Sequence, residues 1–277
     1  MTAPLQLGIS PCPNDTFVFH AWVHGLLAAA PAVNASHADI DVLNTRAAAR
    51  DLDVVKVSYG ALAWLLDDYA LLPAGGALGR GCGPLVLTAE PADAGALRGA
   101  TIAVPGERTT AYLLLRLWDP GFGAIELMPF DQIMPAVRDG AVAAGLVIHE
   151  SRFTYPSFGL HAVADLGDWW ESETGLPIPL GAIVARRSLG TEVREAVAAA
   201  VRGSVEAAWA DPAASRGYVM EHAQEMDPAV ADAHIALYVN EFTRDLGEEG
   251  RLAVRTLLDR AAVAGLAPAV DPAALSH

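Results

Sequence analysis

The stretch "SPCPNDTF", residues 10–17, decides how the first strand and the first helix of the fold are joined. Pro11 and Pro13 each fix φ and lack a backbone donor, so the stretch cannot continue a sheet or lie inside a helix. Upstream, "LQLGIS" is typical of a strand, and downstream "TFVFHAWVHGLLAAA" has helical periodicity. The octet is therefore predicted to be a stiff strand-to-helix connection, an element that often holds ligands in α/β proteins.

The composition predicts a large core and excludes two classes of partner. The chain has 277 residues, of which 53% are hydrophobic, enough for one large α/β domain or two smaller ones. A formal net charge of −15 argues against nucleic acid and anionic membrane surfaces, because both are bound through an excess of Lys and Arg. Cys12 and Cys82 form neither a disulfide scaffold nor a metal motif. No segment has the pattern of an export signal or a membrane span, so we expect a cytoplasmic protein.

Strand-like and helix-like segments alternate along the first part of the chain. "ADIDVL" (38–43) and "DVVKVS" (53–58) are predicted strands, and "YGALAWLLDDYA" (59–70) is a predicted helix. This alternation favours parallel sheets connected by crossover helices. From Ser188 onward the pattern is mostly helical, and the C-terminal "APAVDPAALSH" (267–277) is predicted to be a loosely held tail.

Two extended segments are predicted to cross between lobes. They are "GGALGRGCGPLVLTAE" (75–90) and "GLPIPLGAIVARRS" (175–188). One lobe is then discontinuous, formed by residues 1–88 and 186–277, and the second lobe, residues 89–185, is inserted into it. Two α/β lobes joined by two crossings form a cleft that can close on a small molecule.

The strand "DVVKVS" contains a lysine where a buried parallel strand should be apolar. Because side chains alternate along a strand, Lys56 and Ser58 share a face and Val57 points the other way. An ammonium and a hydroxyl on one face predict a receptor for a carboxylate or a hydroxyl. The equally weighted alternative is that Lys56 pairs with an acid such as Asp53 or Asp41, while Ser58 caps the next helix.

Two other strand ends carry polar residues at the start of a helix. In the octet, Asn14 and Asp15 are the residue types that cap helices, and the backbone N–H groups around them are predicted to face the cleft. In "AVPGERTTAYLL" (103–114), Thr109 or Thr110 is predicted to cap the next helix. The segment lacks the Gly-Lys-Ser/Thr ending of a nucleoside-triphosphate loop. Its N–H groups and hydroxyls suit a carboxylate or a sugar.

The segment "AAGLVIHES" (143–151) ends an apolar run with a histidine. His149 titrates near neutral pH and can act as a general base, the alternative being a hydrogen-bonded structural histidine. Its place at a strand end facing a cleft favours the catalytic interpretation. Glu150 is expected to project to the opposite side, so the group that orients the imidazole should come from another segment.

Three further residues are weaker candidates for a functional role. His20 and His24 are four apart on the first helix, but no third ligand suggests itself, so they are interpreted as a structural pair. Cys12 at a helix N-terminus could be a nucleophile. Between two prolines, it is interpreted instead as a small buried spacer.

Four motifs, taken in order and spacing, resemble one family: "SPCPNDTF", "KVSYGAL", "GERTTAY" and "GLVIHESRFTY". The chain resembles the 1,4-dihydroxy-6-naphthoate synthase family of the futalosine route to menaquinone. The resemblance implies an α/β, two-lobed periplasmic-binding-protein-like (type II) fold with a ligand cleft between the lobes. It further implies a carbon–carbon lyase, without metal or organic cofactor, that converts cyclic dehypoxanthinyl futalosine into 1,4-dihydroxy-6-naphthoate and dihydroxyacetone.

The resemblance also assigns roles to residues. It implies that His149 is the proton acceptor, and the residues themselves suggest a substrate contact at Asn14. The motif segments implied to contact a small anionic substrate are Lys56, Val57, Ser58, Thr109, Thr110 and Ala111. Fold alone does not assign function, so two alternatives remain open. One is a non-catalytic carboxylate-binding protein or sensor, and the other is an enzyme resembling chorismate dehydratase.

Overall fold

The framework of the protein is a pair of β-sheets with helices packed around them. The computed structural model describes residues 3–223 and 227–275. Its strands are β1 (Leu5–Ile9), β2 (Val33–His37), β3 (Val54–Ser58), β4 (Tyr69–Leu71), β5 (Ala77–Gly79), β6 (Leu85–Thr88), β7 (Ile102–Val104), β8 (Ile125–Leu127), β9 (Ala144–Val147), β10 (His161–Asp165) and β11 (Ile178–Arg186). Its α-helices are α1 (Pro13–Val23), α2 (Ile40–Ala48), α3 (Thr110–Trp118), α4 (Phe130–Arg138), α5 (Ser151–Thr154), α6 (Leu166–Thr174), α7 (Thr191–Ala210), α8 (Arg216–His222), α9 (Pro228–Tyr238), α10 (Glu241–Arg244) and α11 (Gly247–Val263).

The first sheet has the order β2-β1-β3-β11-β4, with β5 also paired to β11. Strand β1 is parallel to β2 and β3, as the alternation of elements predicts. Strand β11 is antiparallel to β3, β4 and β5, because it enters the sheet from the other lobe. The predicted parallel pairing therefore holds for β1, β2 and β3, and the strands beside the crossings pair antiparallel.

The second sheet has the order β10-β6-β9-β7-β8. Strand β7 is parallel to β8 and β9, whereas β6 is antiparallel to both β9 and β10. Each sheet thus keeps a parallel part built from strand–helix units. Each also receives one antiparallel strand, β11 or β6, at the point where the chain passes between the lobes.

Sheet membership gives lobe boundaries that differ from the predicted ones. Strand β6 belongs to the second sheet although it lies within 1–88, and β11 belongs to the first sheet although most of it lies within 89–185. The extended runs that resemble linkers are themselves central strands. We therefore place the crossings at about residues 80–84 and 175–177, just before these strands begin.

Two local predictions are wrong. Residues 38–43, predicted as a strand, include the start of α2, whose buried Leu43, Asn44 and Ala47 follow helical spacing; the strand lies earlier, at Val33–His37. Residues 59–70, predicted as a helix, form a short 3₁₀ turn at Tyr59–Trp64 and then β4.

The C-terminal part is mostly helical, as predicted, and contains α7 to α11. Helix α1 packs against α7, α8 and α9 and is buried almost all round. The C-terminal segment is held more firmly than predicted, since the Arg187 guanidinium donates to the Ala274 carbonyl at 2.8 Å; residues 276–277 lie outside the described residues. None of the described helices combines the length and the apolar character needed to cross a bilayer.

Candidate active site

A cavity lies between the two lobes, beyond the carboxyl ends of β1, β3, β7 and β9. It contains about 660 Å³ of space not filled by atoms, a figure that includes the solvent at its open mouth. From the lobe of the first sheet it is lined by Ser10, Asn14, Asp15, Ile40, Lys56, Ser58, Ala77, Leu180, Gly181, His234 and Tyr238. From the lobe of the second sheet it is lined by Gly83, Pro84, Thr109, Thr110, Ala111, Ile148 and His149.

All but one of the residues selected from the sequence line this cavity. The exception is Val57, whose fully buried side chain packs into the main hydrophobic core on the other face of β3. The structure therefore brings four separate segments of the chain together, as the strand-end argument predicts. Val57 belongs to the matching motif but can offer a ligand only its backbone.

Lys56 is joined to Asp15 across the base of the cavity. Its Nζ lies 2.5 Å from Oδ1 of Asp15, and the two residues are 4% and 1% exposed. The other Asp15 oxygen accepts from the Ser10 hydroxyl at 2.7 Å and from the Ser10 backbone N–H at 3.2 Å. The lysine stem passes close over Gly181, where an added Cβ would lie 2.6 Å from Cε of Lys56. These contacts fix the ammonium in one place.

The acid that pairs with Lys56 is Asp15, rather than Asp53 or Asp41. Asp15 is not a helix cap: Cys12 occupies the N-cap of α1 and makes no side-chain cap bond. Because the carboxylate compensates the ammonium, Lys56 does not present an isolated positive charge to the cavity. The ion-pair alternative is the arrangement found in the structure.

Ser58 is held by α2 instead of capping the turn that follows it. Its backbone N–H donates to Oδ1 of Asn44 at 2.8 Å, and Nδ2 of Asn44 donates to the Ser58 hydroxyl at 3.1 Å. The hydroxyl oxygen therefore accepts from the protein. Its own hydrogen can be donated to a ligand.

Two backbone N–H groups at the N-terminus of α3 belong to residues that line the cavity. Thr109 caps the helix as predicted, with its hydroxyl accepting from the Tyr112 N–H at 3.1 Å and donating to the Gly106 carbonyl at 2.7 Å. The N–H groups of Thr110 and Ala111 have no acceptor among the described residues. Free N–H groups at the positive end of a helix bind anions.

The Thr110 side chain joins the two lobes and so is not free for a ligand. Its hydroxyl donates to the Leu180 carbonyl at 2.6 Å and accepts from the Gly60 N–H at 2.9 Å. Gly60 is required at this junction, since an added Cβ would lie 2.8 Å from the carbonyl oxygen of Thr109. This junction places the α3 N-terminus against the first lobe.

His149 follows the end of β9 in a left-handed backbone conformation, with φ of 57°. Glu150 is expected to project away from His149 only if the strand continues through it, and β9 already ends at Val147. A carboxylate oxygen of Glu150, a ring nitrogen of His149 and Sγ of Cys12 all lie within 4.8 Å of one another. The turn in the chain brings the glutamate back to the same side.

The imidazole of His149 is oriented by Cys12, from the opening octet. Its Nδ1 lies 3.2 Å from Sγ of Cys12, and its ring meets the Phe130 ring edge-on at 5.2 Å between centroids. The sequence predicts that the orienting group comes from another segment. It does not predict that this group is Cys12, which it favours as a small buried spacer. When Nδ1 carries the ring proton and donates it to sulfur, Nε2 keeps the lone pair of a base.

Burial lowers the pKa of His149 from its ordinary value of 6.5 to about 4. The Lys56 charge lowers it further, and the Asp15 charge opposes both effects. The imidazole is therefore neutral at neutral pH. It can accept a proton without first losing one.

Cys12, His149 and Glu150 are also donor types that Zn²⁺ uses, and among the described residues this is the group that could hold a metal ion. A zinc site needs a thiolate. Burial, and next the charge of Glu150, raise the pKa of the Cys12 thiol well above its ordinary value. This environment favours the neutral thiol that contacts His149.

Two ring-bearing residues of the cavity, both on α9, are not predicted from the sequence. His234 and Tyr238 lie on α9, and with Ala231 they form its buried face at positions i, i+3 and i+7. A histidine on an otherwise apolar helical face was the available signal. Nothing in the sequence places that helix at the cavity.

His20 and His24 lie away from the cavity, as a stacked pair with ring centroids 4.4 Å apart. They belong to a larger cluster on the surface of the first lobe. We call His20, His24, His37 and His222, which surround Tyr218, the surface histidine cluster.

Comparisons with known proteins agree with this arrangement. The family described as Menaquinone biosynthesis matches residues 5–263. A 1,4-dihydroxy-6-naphthoate synthase of Streptomyces coelicolor is 65% identical over 277 residues, covering 98% of this chain and 98% of the relative. A 1,4-dihydroxy-6-naphthoate synthase of Thermus thermophilus is 50% identical over 263 residues, covering 95% of this chain and 96% of the relative.

Solved structures confirm the predicted fold. A protein of Archaeoglobus fulgidus has a TM-score of 0.90 at 36% identity, covering 95% of this chain and 98% of its own. A Candida albicans protein described as having the generic periplasmic binding protein fold has a TM-score of 0.73 at 13% identity, covering 99% of this chain and 94% of its own. The second likeness concerns the fold alone.

Proposed function

The chain belongs to the menaquinone biosynthesis family, and on that premise we propose that it cleaves cyclic dehypoxanthinyl futalosine into 1,4-dihydroxy-6-naphthoate and dihydroxyacetone. Its 65% and 50% identity to two 1,4-dihydroxy-6-naphthoate synthases supports this reaction. The observation that carries the mechanism is a neutral histidine in the cavity between the lobes, His149, facing the same space as the open N-terminus of α3.

The substrate carboxylate binds at the N-terminus of α3 in this proposal. Lys56 is already compensated by Asp15, so the open donors are the N–H groups of Thr110 and Ala111. A helix N-terminus attracts an anion through its dipole as well as through these N–H groups. Such local donors are needed because the protein carries a formal net charge of −15.

His149 removes a proton next to a carbonyl of the substrate through Nε2, while Nδ1–H remains hydrogen bonded to Cys12. The electron pair released by that C–H bond drives cleavage of the carbon–carbon bond, and the bicyclic product becomes aromatic. A positioned base supplies about 10²–10⁴-fold, and orientation of the substrate between the lobes supplies more. These proton-transfer and cleavage steps call on no metal or organic cofactor.

We also propose that the reaction takes place in the cytoplasm. Cys12 and Cys82 are both free and buried, the state expected of thiols in a reducing compartment. The proposed partner is one small anionic molecule held between the lobes.

Turnover of the cyclic futalosine derivative tests the proposal directly. The purified protein is incubated with that compound, and the fluorescence of 1,4-dihydroxy-6-naphthoate is followed. A parallel incubation with chorismate tests for dehydratase activity. Naphthoate formation from the futalosine derivative alone supports the proposal. Tight binding without any product would make the protein a binding protein, and turnover of chorismate would make it a dehydratase.

A further inference from the structure

His234 is a buried polar residue in the cavity wall whose ring makes no hydrogen bond to the described part of the chain. It is 2% exposed, and its Nδ1 is shielded from solvent and has no hydrogen-bond partner there. Buried polar groups in folded proteins are nearly always hydrogen bonded, and the exceptions require an explanation. Because Nδ1 is closed off even from a water molecule, a ligand in the cavity can bind this ring only through Nε2.

The surroundings of His234 form a shaped pocket. Its ring lies 4.5 Å from the ring of Tyr238, one turn further along α9, and meets Phe153 of the other lobe edge-on at 6.3 Å. Burial lowers its pKa well below the ordinary value, and the nearby His149 and Lys56 lower it further. The imidazole is therefore neutral, with one N–H donor and one acceptor nitrogen.

We propose that His234 binds a hydroxyl group in the sugar-derived part of the substrate, beside the carbon that His149 deprotonates. This inference rests on the function proposed above. A hydroxyl both donates and accepts, so it matches a neutral imidazole. A carboxylate only accepts, and its place is at the N–H groups of α3. Tyr238 lines the same part of the cavity.

The placement predicts a difference between substrate and product. The substrate carries the sugar-derived hydroxyls, whereas 1,4-dihydroxy-6-naphthoate has lost them with the three-carbon fragment. A site built for a hydroxyl discriminates strongly against a ligand that lacks it, because its own polar group then stays unpaired. Loss of the imidazole should therefore weaken the substrate interaction and leave the product interaction unchanged.

The test compares His234→Leu, which has no hydrogen-bonding group, with His234→Gln, which keeps a donor and an acceptor. His222→Leu, a partly buried histidine of α8 outside the cavity, is the matched control. Measurements are kcat and KM for the cyclic futalosine derivative, inhibition by 1,4-dihydroxy-6-naphthoate, and melting temperature. Should the Leu variant not fold, His234→Met makes the same comparison.

We expect His234→Leu to lower kcat/KM at least 30-fold, with product inhibition within twofold of wild type. We expect His234→Gln to retain at least ten times the kcat/KM of the Leu variant. The Leu variant should melt no lower than wild type, since it removes an unpaired buried polar group. A loss of less than tenfold, or an equal loss of product affinity, would overturn the inference. Absence of turnover by the wild type would instead overturn the proposed function.

Discussion

The surface histidine cluster and the two cavity histidines use the same side chain in opposite ways. In the cluster the rings stack closely, with centroids 4.1 Å apart for His37 and His222, and the Tyr218 hydroxyl bonds to Nε2 of His37 at 2.9 Å. In the cavity, His149 has a thiol as its polar neighbour, and His234 has no hydrogen bond to a described residue.

The difference identifies side chains whose hydrogen-bonding groups are not fully used within the protein. In the cluster, the rings of His24, His37 and His222 form hydrogen bonds to the His20 carbonyl or to the hydroxyl or carbonyl of Tyr218. Imidazoles buried without strong acceptors are a cost to the free protein, and a bound substrate can remove that cost. Proteins retain such destabilising polar groups mainly at functional sites.

The largest difference between the two groups is expected when one histidine from each group is replaced by asparagine. Asparagine tolerates the left-handed backbone that His149 adopts, so His149→Asn removes the base without adding backbone strain. We expect kcat to fall about 10²–10⁴-fold, the contribution of a general base, with KM within a fewfold of wild type. His222→Asn should stay within twofold in steady-state assays.

Near-normal kcat for His149→Asn would remove His149 from the mechanism. An equal loss in His222→Asn would show that the effect is a general one on folding. Melting curves of both variants separate these outcomes from loss of folded protein.

The Lys56–Asp15 pair differs from the cavity histidines, because its two charged groups are buried and paired with each other. Lys56→Met leaves the Asp15 carboxylate buried without its cation, and we expect a loss of about 3–5 kcal/mol in the free energy of unfolding. The exposed Arg244–Glu206 pair is the control, and Arg244→Met should have a much smaller effect because the solvent screens both charges. Urea denaturation measures both.

The addition of Asp15→Asn to Lys56→Met should recover part of that stability, since a buried amide carries no charge. A Lys56→Met protein as stable as Arg244→Met would show that the pair is not buried in solution.

Much of this arrangement is predictable from the sequence, because it depends on short-range rules. Prolines predict the strand-to-helix connection at 10–17, and capping residues predict the N-cap of α3. The strand end predicts the position of His149. The partner of Lys56 could not be found in this way, since Asp15 lies 41 residues away and meets it through the pairing of β1 with β3.

The errors also have physical causes. Residues 38–43 alternate like a strand, but the burial of Leu43 and Ala47 against the core selects a helix. His234 was missed because its place at the cavity depends on how α9 packs. That packing is set by long-range contacts with α1 and β5, which periodicity does not encode.

Cys12 should give the smallest effect, because it acts on the reaction only by orienting His149. We expect Cys12→Ala to lower kcat about tenfold and Cys12→Ser to stay within about threefold, since the hydroxyl can also accept from Nδ1–H. The pH profile of kcat is the second readout, and its acid limb should move in the Ala variant. A Ser variant as impaired as the Ala variant would indicate a packing role.

The lowered pKa of His149 predicts how the activity and the stability of the protein depend on pH. Only the unprotonated imidazole is a base, so a pKa lowered to about 4 extends activity toward acid. The same shift makes the folded protein bind fewer protons than the unfolded chain between about pH 6.5 and 4. The contribution of His149 to stability is therefore complete above about pH 6.5 and is lost as the pH falls toward 4.

The most direct test of the buried neutral base is to titrate His149 by NMR in ¹⁵N-histidine-labelled protein and to measure kcat/KM over the same pH range. The His149→Asn variant assigns the signal. We predict that the chemical shifts of the His149 ring nitrogens and kcat/KM both stay constant from pH 8 down to about pH 5. A His149 signal that titrates near 6.5, with kcat/KM falling in parallel, would contradict the account.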